Sequence, residues 1–81
     1  MSLFLHVLKP FSESKMEVEW ARIDTPNGSF LIGPGHRPLV NIVKPKSVIT
    51  YKSQGQEVTL EAPENGGLVH VHEDKIILFL E

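Results

Sequence analysis

Proline and glycine interrupt this chain so often that a long helix is excluded. The 81 residues include six prolines and six glycines, spread from Pro10 to Gly67. Proline inside a helix removes a backbone hydrogen bond, and glycine weakens a helix through its backbone freedom. Between these residues lie short runs in which apolar and polar side chains alternate, as in a β-strand with one buried face. The sequence therefore predicts an all-β fold, a small antiparallel β-sandwich or flattened barrel of two packed sheets.

The alternation also places the strands along the chain. We expect them at residues 3–8, 16–23, 30–32, 39–43, 48–52, 57–62, 68–72 and 75–80, with hairpin turns at 53–56 and 73–74. In the predicted strand 16–23, Met16 and Val18 share one face, whereas Ala21 and Ile23 share the other. Because one face must stay buried, this change of parity predicts a β-bulge near Trp20 or Ala21.

Length, charge and cysteine content limit the functional classes. The 81 residues are enough for one domain, predicted to span 1–81. Eight basic and ten acidic side chains give a net charge of -2, unlike the basic surface of a nucleic-acid-binding protein. The absence of cysteine excludes disulfides and thiol chemistry, which fits the cytosol. The longest apolar runs are far shorter than the roughly 20 residues of a membrane-spanning helix, so we expect a soluble or peripheral protein.

No arrangement of residues typical of catalysis is present in the sequence. The serines lie in turn-like contexts without a Gly-x-Ser-x-Gly motif or a spaced acid and base. The glycine pairs at Gly33 and Gly35 and at Gly66 and Gly67 do not continue into the Gly-Lys-Ser/Thr of a phosphate-binding loop. We therefore expect a protein without catalytic residues and without a cofactor.

Two alternatives of other classes remain open. His70 and His72, two positions apart on a strand, would project from one face and supply two ligands to a metal ion. A third ligand at a recognisable spacing is lacking, so we favour solvated histidines with Val69 and Val71 pointing into the core.

The second alternative is a free-standing binding module outside any larger complex. In this hypothesis three aromatic side chains, Trp20, Phe11 and Phe79, cluster on an exposed sheet face and take up a small ligand or a protein.

An ordered set of short motifs gives the sequence a family resemblance. A strand opening at Gly28 leads into Gly33-Pro34-Gly35-His36-Arg37-Pro38-Leu39, followed by Ile42-Val43-Lys44-Pro45 and Gly66-Gly67-Leu68-Val69. This order resembles the N-terminal sandwich domain of the epsilon subunit of rotary proton-translocating ATP synthases, and it covers nearly the whole chain, from about Leu3 to Leu80. Lys46 departs from the pattern, since glycine is usual after that proline.

The resemblance implies a non-catalytic subunit of the rotor's central stalk, which joins the gamma shaft to the c-ring and helps couple proton transport to ATP turnover. It implies a gamma-subunit interface at His36, Arg37, Pro38, Leu39 and Asn41, and a c-ring interface at Pro26, Asn27, Gly28, Ser29 and Phe30. A histidine after Pro-Gly also often holds its turn through a ring hydrogen bond to a backbone carbonyl, which we expect of His36.

The family also implies a location and a limit on regulation. The protein would lie on the cytoplasmic face of the bacterial inner membrane and contact the membrane only through the complex. The chain resembles short epsilon subunits that keep only the sandwich, so we expect neither the ATP binding nor the rotational block of the family's C-terminal helical hairpin. An epsilon-like paralogue outside the synthase fits the same motifs.

Overall fold

Two packed β-sheets make up the protein. The structure, a computed structural model, describes residues 2–81. The strands are β1 (Leu3–Lys9), β2 (Ser12–Val18), β3 (Trp20–Thr25), β4 (Gly28–Ile32), β5 (Leu39–Val43), β6 (Val48–Ser53), β7 (Gln56–Glu61), β8 (Gly67–His72) and β9 (Lys75–Leu80). Five strands form one sheet in the order β2-β1-β9-β8-β5, and four form the other in the order β4-β3-β6-β7. The predicted all-β sandwich is confirmed. Among residues 2–81 no helix is long and apolar enough to cross a membrane.

The core lies between the two sheets and follows the predicted alternation of side chains. On β1 the buried residues are Leu3, Leu5 and Val7, and on β9 they are Ile76, Leu78 and Leu80. The other buried hydrophobic residues are Val18, Ala21, Ile23, Ile32, Val43, Ile49, Ala62, Val69 and Val71. Most of these side chains are small or β-branched, which suits close packing between two pleated surfaces.

The predicted bulge near Trp20 is wrong, because the segment 16–23 is two strands in different sheets. β2 ends at Val18 and β3 begins at Trp20. The backbone N–H of Glu19, between them, donates to the carbonyl of Lys52 at 2.7 Å. Val18 and Ala21 are both buried despite their opposite parity, since each belongs to a different sheet. The change of parity therefore marks a crossover between the sheets.

Two further features of the sheets differ from the expected pattern. β2 begins at Ser12 rather than Met16, and residues 12–15 are exposed. At the edge of a sheet such residues pair through the backbone alone, so they leave no apolar alternation in the sequence. In addition, β1 pairs with β9 in parallel, whereas the remaining pairs are antiparallel.

Both predicted hairpins are present, with two-residue turns. Gln54 and Gly55 connect β6 to β7 with φ of 52° and 78°, and Glu73 and Asp74 connect β8 to β9 with φ of 49° and 60°. Positive φ at both central residues is what a type I′ turn requires, and its twist matches that of the strands.

Candidate functional site

The corner between β4 and β5 is held by short-range hydrogen bonds. The N–H of His36 donates to the carbonyl of Gly33 at 3.2 Å. The Nδ1 atom of His36 lies 2.7 Å from the carbonyl oxygen of Arg37, so the ring does hold its turn, as predicted. One bond reaches further, since the N–H of Gly35 donates to Oδ1 of Asp74 at 2.8 Å. Arg37 and Pro38 are exposed, whereas His36 is half-buried.

The turn between β3 and β4, the predicted c-ring contact, is built on a buried threonine. The Oγ1 atom of Thr25 donates to the carbonyl of Gly28 at 2.9 Å and accepts from the N–H of Asn27 at 3.1 Å. Pro26, Asn27, Gly28 and Ser29 are exposed, and Ser29 donates to Asp24 at 2.9 Å. Phe30 differs from the other four, because its side chain is half-buried against the core. This turn therefore presents four of the five predicted residues to solvent.

The side chains that strand β5 exposes to solvent are not those of Leu39 and Asn41, its two predicted interface residues. Val43 is buried, so Leu39 and Asn41, which share its parity, are on the side that faces the core. Both are half-buried, whereas Val40 and Ile42 between them are exposed. Leu39 and Asn41 stay predicted contacts, but the side chains that point outward from this strand are Val40 and Ile42, for which the sequence pattern predicts no interface.

These outward residues belong to a continuous apolar surface on the five-stranded sheet. The strand register places Leu8, Phe79, Leu68 and Ile42 in one row across β1, β9, β8 and β5. The next row contains His6, Ile77, His70 and Val40. We call Leu8, Val40, Ile42, Leu68, Ile77 and Phe79 the apolar face.

Four residues of the apolar face are exposed to solvent, while Leu8 and Ile77 are half-buried. Val40 is 69% exposed, Ile42 51%, Leu68 49% and Phe79 42%. Exposed apolar patches of a few hundred Å² on a small soluble domain often mark an interaction site. The corner is followed in the chain by Leu39 and then Val40, so it adjoins the edge of the apolar face.

The outer surface of the four-stranded sheet is more polar. Its register sets Trp20 beside Lys52 and Arg22 beside Thr50 on β3 and β6, and sets Lys52 opposite Glu57 on β7. The guanidinium of Arg22 lies 5.6 Å from the ring centroid of Trp20 and partly covers it. Leu31 and Val48 are exposed apolar side chains among these polar ones. The two outer surfaces of the sandwich therefore differ in chemistry.

The hypothesis of a Trp20, Phe11 and Phe79 cluster is wrong. Trp20 projects from the four-stranded sheet and Phe79 from the five-stranded one, so the two rings point to opposite sides of the sandwich. Phe11 lies in the turn between β1 and β2 and is fully exposed. The order of the strands in the two sheets, which the sequence pattern does not give, separates these residues.

The two histidines on β8 point outward, as expected, while Val69 and Val71 are buried. The rings of His70 and His72 stack with centroids 6.0 Å apart, and Nε2 of His72 lies 3.6 Å from a carboxylate oxygen of Glu73. Within residues 2–81 no group of three or more His, Cys, Asp or Glu side chains is arranged to hold a metal ion. The pair alone offers two of the three or four protein ligands that zinc usually takes.

Known proteins share the fold rather than the sequence. No protein-family model matches the chain, and no curated protein matches it. A chain of the Euglena gracilis mitochondrial ATP synthase, in a structure of OSCP, F1 and the c-ring, matches with a TM-score of 0.88 at 17% identity. A chain of the Tetrahymena thermophila mitochondrial ATP synthase, in a structure of the central stalk and c-ring, matches with a TM-score of 0.81 at 15% identity.

These matches extend over nearly all of the present chain but only part of the others. They cover 98% and 99% of this chain, and 50% and 63% of the Euglena and Tetrahymena chains. The protein has the fold of those regions of the two ATP synthase chains.

Proposed function

We propose that the protein is a non-catalytic subunit of the central rotor stalk of a proton-translocating ATP synthase, of the epsilon type. The observation that carries the proposal is the likeness of nearly the whole chain, with TM-scores of 0.88 and 0.81, to chains from two ATP synthases. The ordered epsilon-type motifs of the sequence support it independently. A rigid sandwich can fix the orientation of two partners through buried area alone, without chemistry of its own.

In this proposal the gamma subunit packs on the corner and the adjoining apolar face. The corner supplies His36, Arg37 and Pro38. The face supplies Val40 and Ile42, whose apolar side chains would exclude water from the centre of the interface. Apolar side chains at the centre and polar ones at the rim are the usual composition of a stable interface. About 800 Å² per partner is typical of such an interface. The exposed apolar residues of the face, flanked by the polar residues of the corner, match the composition of such an interface.

The turn between β3 and β4 would meet the c-ring. Its exposed residues, Pro26, Asn27, Gly28 and Ser29, are held in place by Thr25 and Asp24. Asn27 also contacts Asn41 on β5, so the two proposed interfaces adjoin. A single rigid body could then join shaft and ring, on the cytoplasmic face of a bacterial inner membrane.

Purification of the complex from its native membrane tests the proposal. An affinity tag on this chain, in the chromosomal copy of the gene, should recover the gamma, beta and c subunits in fixed stoichiometry after mild detergent extraction. Deletion of the gene should lower ATP-driven proton pumping relative to ATP hydrolysis in membrane vesicles. Recovery of the tagged chain without synthase subunits, together with unchanged pumping in the deletion strain, would support a binding module outside the synthase instead.

A further inference from the structure

The corner between β4 and β5 is folded by hydrogen bonds among its own residues, and few hydrogen bonds connect it to the rest of the sandwich. Residues 33–38 belong to no strand. The bonds from His36 to Gly33 and from His36 to Arg37 stay within the corner. Such local bonds fix the fold of a loop without fixing its position on the domain. The position must come from the two flanking strands and from any contact with another element.

One such contact is present, and it comes from the hairpin turn between β8 and β9. The carboxylate of Asp74 accepts a hydrogen bond of 2.8 Å from the N–H of Gly35, 39 positions away in the sequence. Among the hydrogen bonds of residues 2–81, it is the one that joins the corner to another element. A carboxylate acceptor makes a shorter and stronger bond than a neutral one.

Asp74 is itself fixed to the sheet. Its carbonyl oxygen accepts from the N–H of Phe4 on β1 at 3.0 Å, and its φ of 60° lies in the left-handed region. Glu73, with a φ of 49°, occupies the preceding turn position. Asn-Gly is the favoured pair in such a turn, because glycine adopts this backbone at no steric cost. Asp74 at the second position lacks this advantage of glycine, but its carboxylate accepts the hydrogen bond from the corner.

We infer that Asp74 is a positioning residue, which holds the corner against the sandwich so that His36, Arg37 and Pro38 stand in a fixed place. That these residues are presented to the gamma subunit rests on the proposed function. Without the carboxylate, the corner would keep its internal bonds and lose its fixed position. An interface whose loop must first be ordered binds more weakly, because ordering costs conformational entropy.

Amide hydrogen exchange measured by NMR tests directly whether the bond from Gly35 to Asp74 fixes the corner on the sandwich. In Asp74→Ala the exchange of the Gly35 N–H should speed up about tenfold relative to that of Val69 in the core. Asp74→Asn keeps an acceptor oxygen and should restore part of the protection. Glu73→Ala changes the neighbouring turn residue without touching the bond and should leave Gly35 unchanged. A purely structural role for Asp74 would instead speed exchange at Gly35 and Val69 alike.

Binding of the purified variants to the gamma subunit tests the consequence. Asp74→Ala should weaken binding about tenfold, with Asp74→Asn intermediate and Glu73→Ala unchanged. Unchanged exchange at Gly35 in Asp74→Ala would overturn the inference. Faster exchange with unchanged affinity would overturn the role in presenting the corner. If the wild-type protein does not bind gamma, the proposed function and the presenting role both fail, and Gly35 exchange alone decides whether Asp74 holds the corner.

Discussion

The side-chain amide of Asn41 donates to the side-chain oxygen of Asn27 across 3.3 Å, joining β5 to the turn between β3 and β4. The same Asn41 accepts from the backbone N–H of Ile42 at 2.7 Å through its own Oδ1. Asn41 therefore satisfies an N–H on an edge strand, where unpaired backbone groups would otherwise be free to pair with another chain. It also links the two surfaces proposed to meet gamma and the c-ring.

Truncation of these two asparagines should have unequal effects. Asn41→Ala removes both bonds and should lower the free energy of unfolding by about 1 kcal/mol. Asn27→Ala removes only the longer one and should cost less than about 0.5 kcal/mol. Denaturant unfolding of both single variants and the double variant measures the effects. A larger loss from Asn27→Ala than from Asn41→Ala would contradict this view of the link.

The hydroxyl of Thr25 should determine the stability of the turn at residues 26–27. Thr25→Val keeps the shape of the side chain but removes its bonds to Gly28 and Asn27, two exposed residues whose backbone groups can then bond to water. We expect a loss of about 1 kcal/mol in unfolding free energy, the net contribution of an ordinary hydrogen bond. Thr25→Ser retains the hydroxyl and is the matched control, expected to lose less. Equal unfolding midpoints for the valine and serine variants would show that the hydroxyl does not support the turn.

Replacement of Lys46 by glycine should stabilise the protein. Lys46 has a φ of 59°, a left-handed backbone that costs a residue with a Cβ roughly 1 kcal/mol. Its Nζ atom lies 3.6 Å from Glu64, but both side chains are largely exposed, so that ion pair contributes little. Lys46→Gly should therefore raise the unfolding free energy by about 0.5 kcal/mol after the greater freedom of glycine in the unfolded chain is counted. Lys46→Ala keeps the strained backbone, and a stability equal to that of Lys46→Gly would refute the explanation.

Gly67 should tolerate no side chain, because β8 and β9 approach closely there. A Cβ at this position would overlap the carbonyl oxygen of Phe79. Gly67→Ala should cost more than about 3 kcal/mol or prevent folding. At Gly33 an added Cβ meets no atom within 4 Å, so Gly33→Ala serves as the control. Thermal unfolding compares the two, and a midpoint for Gly67→Ala close to that of Gly33→Ala would contradict the geometry.

The sequence predicts the strands in which apolar residues alternate with polar ones or form a continuous apolar run. The predicted and observed bounds agree for β5 and for β9, whose side chains are apolar almost throughout, and β1 is one residue longer than predicted. The sequence does not predict the exposed polar half of β2, since edge pairing by backbone bonds needs no apolar pattern. It predicts a bulge where the structure has a crossover at Glu19, since both give the same change of parity.

The surfaces were harder to predict than the strands. The apolar face depends on which strands are neighbours, and β5 meets β8 and β1 meets β9 only in the folded sheet. Each strand shows outward apolar residues on its own, but their alignment into rows comes from registers that sequence alternation leaves open. The bond from Asp74 to Gly35 is likewise a long-range contact, without a local signal.

The proposal that gamma binds through the apolar face is tested by titrating purified gamma with the wild-type protein and three variants. Val40→Asp and Ile42→Asp place a charge on the face, whereas Leu31→Asp, at a side chain 59% exposed on the other sheet, is the matched control. The two face variants should each bind at least about tenfold more weakly, because a carboxylate would be buried without a partner, while Leu31→Asp binds as the wild type does. Equal affinity of all three variants, or no wild-type binding at micromolar concentration, would contradict the claim.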